Sequence, residues 1–282
     1  MDRPCTTRAE VLAHRPRAGM KFLITTKREG DIIMNRKHWT ILASMLAVCA
    51  LLLLAGCNKK ENTEQSNNSA TEQQAQPAAT PIDPATAATV NGTVKFDGTA
   101  PKPAKIDMSQ DPGCKGTNEA ESVVVSGGDL ANVFVYVKDG LGNRSFDAPK
   151  DPVVLDQKGC QYHPHVLGVM AGQTVDIKND DPTTHNIHPT PKDNREWNES
   201  REEIMLPVKC NQHPWMKMYV NVVKSPFFAV TDKSGKYEIK GLPPGDYTLG
   251  FVHEKLGEQD QKVTVAPKET KTVDTSFKAA GE

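Results

Sequence analysis

Cys210, His213, Met216 and Met218 fall within one nine-residue run, Cys-Asn-Gln-His-Pro-Trp-Met-Lys-Met. A thiolate, an imidazole and a thioether on a single short loop supply three of the four donors of a mononuclear copper site; the fourth is a second imidazole. His185 is placed to provide it. Upstream, Val175 and Ile177 alternate with polar residues as in a half-buried strand, Asn179-Asp180-Asp181-Pro182 ends that strand, and His185 follows. Zinc also takes Cys and His but rarely Met, so the thioethers favour copper. The flanks of Cys210 are Lys209 and Asn211. No histidine stands on either side of it, as a multicopper oxidase would require, and the loop has no second cysteine for a dinuclear centre. No spare histidine cluster suggests a catalytic copper, and the reading is of a protein that is not an enzyme.

The pairing of His185-Asn186-Ile187-His188 with a C-x2-H-P-W-M loop resembles the cupredoxins, most of all the amicyanin type. The resemblance implies a Greek-key β-sandwich holding one type 1 copper, with His185, Cys210, His213 and Met216 as ligands. It makes Asn186 the residue that ties the two ligand loops together, and His188 a non-ligand. Met218 is the alternative axial ligand, at the longer spacing of plastocyanin-like loops. His213, ringed by Pro214 and Trp215, is expected to be the entry edge for electrons. One departure stands out: only 24 residues separate His185 from Cys210, fewer than the family usually has, with Asn198 to Glu202 where a longer loop is expected. That shortening bears on how fully copper is held.

The chain has six cysteines, at 5, 49, 57, 114, 160 and 210. Basic residues after Met34, the apolar run Ile41 to Leu54 and then Leu54-Ala55-Gly56-Cys57 read as a signal peptide closed by a sequence that resembles the bacterial lipobox. By that resemblance Cys57 carries the lipid, translation starts at Met34, and the protein is exported and held on a membrane, facing the periplasm or the cell surface. Residues 58–89, rich in Asn, Gln, Ser, Ala and Pro, read as a flexible tether. In an oxidising compartment the three remaining cysteines suggest one disulfide, Cys114 with Cys160, and one metal ligand, Cys210. Beyond residue 56 there are 25 Lys and Arg against 31 Asp and Glu, a net charge of -6, with no basic stripe of the kind nucleic acid requires. In the stretch Cys160-Gln-Tyr-His-Pro-His165, His163 and His165 are expected to cap loops near the mouth of the site.

After residue 225 the string Thr231-Asp-Lys-Ser-Gly-Lys-Tyr-Glu-Ile-Lys-Gly-Leu-Pro-Pro-Gly-Asp-Tyr247 resembles the carboxypeptidase regulatory-like domain, a transthyretin-like β-sandwich close to the rhamnogalacturonan lyase accessory domain. Tyr237, Tyr247 and Phe251 alternate as core residues do, and His253 and Glu254 read as structural. The first strand of that sandwich is expected far upstream, at Val90 to Gly98, and Val133, Val135 and Val137 form a strand that either module could own. The resulting layout is leader 1–56, lipidated linker 57–89, first sandwich strands 90–140, copper module 141–225 and regulatory-like sandwich 226–279. The function expected is a one-electron carrier serving other exported redox proteins. The alternatives are copper sequestration or delivery among copper-handling proteins, or a binding module whose copper fold is only scaffold.

Overall fold

The computed structural model describes residues 79–192 and 201–279. The leader, Cys57 and most of the expected tether lie outside this range, as do residues 193–200 between the two ligand segments. All regular elements described are strands, and among the described residues no helix is long and apolar enough to cross a membrane. The first six strands are β1 (Ala88–Asp97), β2 (Lys105–Ile106), β3 (Asn118–Glu119), β4 (Val125–Ser126), β5 (Asp129–Leu130) and β6 (Phe134–Asp139). Next come β7 (Val153–Lys158), β8 (Gln161–His163), β9 (Val166–Met170), β10 (Val175–Asn179), β11 (His188–Pro189), β12 (Glu203–Lys209) and β13 (Lys217–Val223). The last are β14 (Phe228–Val230), β15 (Lys236–Leu242), β16 (Gly245–His253), β17 (Gly257–Val265), β18 (Thr270–Thr272) and β19 (Thr275–Lys278).

β1 and β4 to β6, together with β14 to β19, build one β-sandwich. β1 pairs antiparallel with β15, placing Val90 opposite Ile239, and runs parallel to β18 and β19. The facing sheet is ordered β14-β6-β16-β17. Val90, Val94 and Phe96 of β1 point inward with Val135, Ile239, Leu249, Phe251 and Val263, as the period of two along each strand dictates. Gly92 occupies an inward position of β1 where the chain crosses from β18 to β19; a Cβ there would stand 2.0 Å from the Val273 carbonyl oxygen. Residues 79–87, expected as tether, already pack. Ile82 rests on this core, and the Thr80 N–H donates to the Ser145 carbonyl at 2.8 Å. The linker therefore ends earlier than residue 89, because Ile82 supplies an apolar side chain to bury.

The middle of the chain, between β6 and β14, builds a second pair of sheets, ordered β10-β7-β8 and β11-β12-β13-β9. Each contains one parallel pair, β7 with β10 and β9 with β13. Leu155, Leu167, Val169, Leu206, Val208, Val220 and Val222 fill the space between them. Ile177, expected to be half-buried, is 50% exposed, because β10 is an edge strand of its sheet.

β6 serves both modules. Val133, Val135 and Val137 enter the first core, while Phe134, on the opposite face, joins Val166, Met205, Tyr219, Val223 and Val252 in a third core between the modules. Gly168 of β9 admits this contact, since a Cβ there would lie 2.6 Å from the Phe228 ring. At roughly 1.5–3 kcal/mol per buried side chain, exposing these six groups would cost on the order of 10 kcal/mol, so the two modules hold together as one body.

His253 ends β16 and is 2% exposed. Its Nδ1 accepts the Lys255 N–H at 3.2 Å, and its Nε2 has no partner. Burial lowers its pKa from 6.5 to about 4. The unfolded chain thus binds a proton that the folded chain refuses, and stability falls as pH drops through this window. Urea denaturation at pH 7.5 and pH 4.5 is expected to show a loss of about 2–3 kcal/mol that His253→Phe removes. An equal loss in the variant would assign the acid sensitivity to other groups.

Candidate metal centre

Four segments meet at one end of the second pair of sheets. The loop Cys210 to Met216 joins β12 to β13, and it is closed by hydrogen bonds from the Met216 N–H to the His213 carbonyl at 2.9 Å and from the Cys210 N–H to the Met216 carbonyl at 3.3 Å. His185 and Asn186 lie on the connection from β10 to β11. Asp111 and Cys114 lie between β2 and β3, and Cys160 sits in the turn from β7 to β8.

The structure brings His185, Cys210 and His213 together, with one donor atom from each lying within 4.8 Å of the others. The Nδ1 atoms of the two imidazoles face each other at 2.9 Å, and Cys210 Sγ is 3.7 Å from His213 Nδ1. Met216 and Met218 are 1% and 0% exposed and share the same core as Cys210. Met216 belongs to the clamped loop, whereas Met218 is a β13 residue opposite Val208.

Asn186 Oδ1 accepts the Asn211 N–H at 2.8 Å and the Cys210 S–H at 3.5 Å, and Thr184 Oγ1 donates to Gln212 Oε1 at 3.1 Å. These bonds join the two ligand segments. Cys114 and Cys160 form a disulfide, and Cys210 is a free, buried thiol. Burial alone would raise the Cys210 pKa. The N–H groups of Asn186, Gln212 and His213, together with the His213 side chain, outweigh it and hold the thiol below its ordinary value.

Each imidazole is capped on its far side by a carboxylate. His213 Nε2 donates to Asp111 Oδ2 at 2.8 Å, and His185 Nε2 donates to Asp181 Oδ2 at 2.9 Å. Asp111 also accepts the Gly113 N–H and the Thr183 hydroxyl. These bonds, the Gly113 one first, lower its pKa to about 2. With the Nε2 protons committed to carboxylates, the Nδ1 lone pairs turn toward each other and toward the sulfur. That arrangement is repulsive unless a proton or a cation lies between the rings. The donor set and its outer carboxylates therefore fit a metal ion bound by thiolate and imidazole.

The expected electron-entry edge at His213 is enclosed. The His213 side chain is 4% exposed and that of His185 0%, because Asp111 and Asp181 pack over the Nε2 atoms. Of the two histidines expected to cap loops near the site, His163 bonds the β7–β8 turn and His165 turns toward the other module. His163 is exposed, with Nε2 3.1 Å from the Lys158 carbonyl oxygen, and His165 bonds Glu254 between the modules at 2.6 Å. His188 bonds Asn211 Oδ1 at 2.7 Å.

Three residues of the site escaped the sequence reading. Asp181 stands in the run that ends the strand before His185 and carried no sign of its second role. Asp111 is 102 positions from His213, and no local signal links them. Tyr162 donates its hydroxyl to the Asn186 carbonyl at 2.6 Å; burial first, and then the neighbouring Cys210, push its pKa up.

Residues 213–278 match the carboxypeptidase regulatory-like domain family. The match begins at His213 and runs through β19. β13 is within it, although that strand pairs with β12 and β9 in the sheet beside the candidate centre. Curated proteins and solved structures give no match.

Asp181 also accepts the N–H groups of Gly159 at 2.6 Å and Cys160 at 2.8 Å, one on each carboxylate oxygen. Asp181→Asn turns one of these acceptors into a donor facing an N–H. The expected cost is about 2–4 kcal/mol in metal-free urea denaturation. A change below about 0.5 kcal/mol would mean that Asp181 does not support the turn.

Proposed function

We propose that the chain is a copper protein with a type 1 site, working as a one-electron carrier. The observation that carries this reading is the convergence of Cys210 Sγ with the Nδ1 atoms of His185 and His213 in a buried core, beside Met216. The two facing sheets, each with one parallel pair and with ligands on loops at a shared end, support a cupredoxin reading of the middle of the chain. The regulatory-like sandwich then acts as support. The leader and Cys57 support an exported, lipid-anchored protein facing periplasm or cell surface, with exported redox proteins as its partners.

His185, Cys210 and His213 would hold the ion, with Met216, in the same core as Cys210, as the thioether donor. Copper in such a set supplies a reversible one-electron change. Asp111 and Asp181 orient the imidazoles and make them better donors. Tyr162, Trp215 and the core of valines and leucines keep water out. The sealed histidines support retention of the ion over hand-over to an acceptor, whose ligands would need access. Their carboxylate caps favour tight binding, so copper sequestration is the second reading.

One equivalent of Cu(II) added to the protein is expected to give an intense thiolate-to-copper band with narrow EPR hyperfine splitting, both lost in Cys210→Ala. Met216→Leu is expected to shift the band and Met218→Leu to leave it. No band in the unsubstituted protein, or one indifferent to Cys210→Ala, would overturn the carrier reading. Tight copper binding without the band would favour sequestration.

A further inference from the structure

Sealing His213 moves attention to Trp215. Its ring centroid is 5.0 Å from that of His213, and its indole N–H donates to the Cys160 carbonyl at 3.2 Å. The ring is half-buried, and it lines a cavity of about 290 Å³ between the modules together with Tyr162, His165, Lys217 and Lys255. Trp215 thus touches both a metal ligand and a surface recess.

The strands that carry the ligand loop place positive charge beside this recess. Lys209 and Lys217, which bracket the loop, stand directly opposite each other on β12 and β13, so their side chains share a face. His188 of β11 pairs with Lys209 on its other side. Like charges directly opposite each other destabilise a sheet; Lys217 is partly relieved by the Tyr219 ring, 4.8 Å from its ammonium, and Lys209 is not. Lys209 and Lys255 have no ion pair among the described residues. The carboxylate nearest Lys217 is Glu254, at 3.9 Å, and that side chain is 3% exposed. Glu254 is held by His165 Nε2 at 2.6 Å and by the Tyr219 hydroxyl at 2.8 Å, so its single negative charge sits beneath the surface, against three lysines. Glu121 lines the same recess and is the acidic group left at the rim, 35% exposed. The face is therefore net positive on a chain whose residues after 56 carry -6, from 25 basic and 31 acidic groups. Basic side chains around a solvent-facing aromatic are a surface complementary to an acidic one.

We propose that the basic face around Trp215 docks an acidic patch on a partner redox protein, with Trp215 the contact between that partner and His213. The proposal rests on the copper-carrier reading and names the partner of that same site. One electron passes at the contact, and no bond is made or broken.

Two experiments on the full chain test it. The first needs no copper. Hexacyanochromate(III), a paramagnetic and redox-inert trianion, is titrated against the isotope-labelled protein and followed by NMR. Selective, saturable broadening at Lys209, Lys217, Lys255 and the Trp215 indole is expected. It should weaken several-fold between low and physiological salt and disappear in a Lys209→Gln/Lys255→Gln double variant, while hexaamminechromium(III) should leave these signals sharp. Broadening spread evenly over exposed lysines, or unchanged in the double variant, overturns the proposal. So does equal broadening by spin-labelled phosphatidylglycerol vesicles, which would make the face a membrane contact. The second experiment oxidises the reduced, copper-loaded protein with hexacyanoferrate(III), which takes up one electron. The double variant should react at least about five-fold slower, as loss of electrostatic steering predicts, with an unchanged midpoint potential; equal rates overturn the docking role. Absence of a copper–thiolate band fails the carrier reading alone and leaves the NMR result to decide whether the face binds anionic surfaces.

Discussion

Burial of an electron-rich donor set is the constraint to which the rest of the second module responds. Cys210 and His213 are 3% exposed and Met216 1%, beside a core of valine, leucine, methionine, tyrosine and the Cys114–Cys160 disulfide. Polar groups removed from water must find partners inside the protein. The partners come from three other segments. Asp111 and Asp181 take the outer imidazole protons, Asn186 takes the Asn211 N–H, and Tyr162 bonds the Asn186 carbonyl. The Cys114–Cys160 disulfide joins the Asp111 loop to the turn whose N–H groups Asp181 accepts. Each bond satisfies a buried group and also positions a neighbour, so the arrangement of His185, Cys210 and His213 is set by a network rather than by the 210–216 loop alone.

The two modules share this rigidity. β6 has valines on one face for the sandwich and Phe134 on the other for the junction. β13 leaves the ligand loop, passes the junction through Tyr219 and Val223, and leads to β14, which pairs with β6. Tyr219 and His165 meet Glu254 of the sandwich inside the junction. A Trp215 recess with walls from both modules is therefore a surface that neither would form by itself.

Much of the fold was legible in local pattern. Alternating valines and Gly/Pro punctuation identify strands wherever one face is buried, as in β1, β6 and β15. That the sandwich begins upstream at β1 followed from the family resemblance of the string after Thr231; its pairing with β15 is seen only in the structure. The pattern misled where burial was not decided by alternation. Val175 and Ile177 alternate, yet β10 is an edge strand and Ile177 faces water. Residues 79–87 have the composition of a tether, yet Ile82 has a core to rest on.

For the site, the amino-acid sequence alone determined the donor types and which of them share a segment: Cys210, His213, Met216 and Met218 by spacing, with His185 and Asn186 on a second loop. Spacing is sufficient there because residues a few positions apart on one loop are neighbours in any fold. Only the tertiary structure decided that Asp111 meets His213 across 102 positions and that Tyr162 meets Asn186 across 24. It also decided that His213 is sealed and that Lys209 faces Lys217 beside Trp215. Such contacts depend on how sheets pack and register, and no property of the separate segments encodes that.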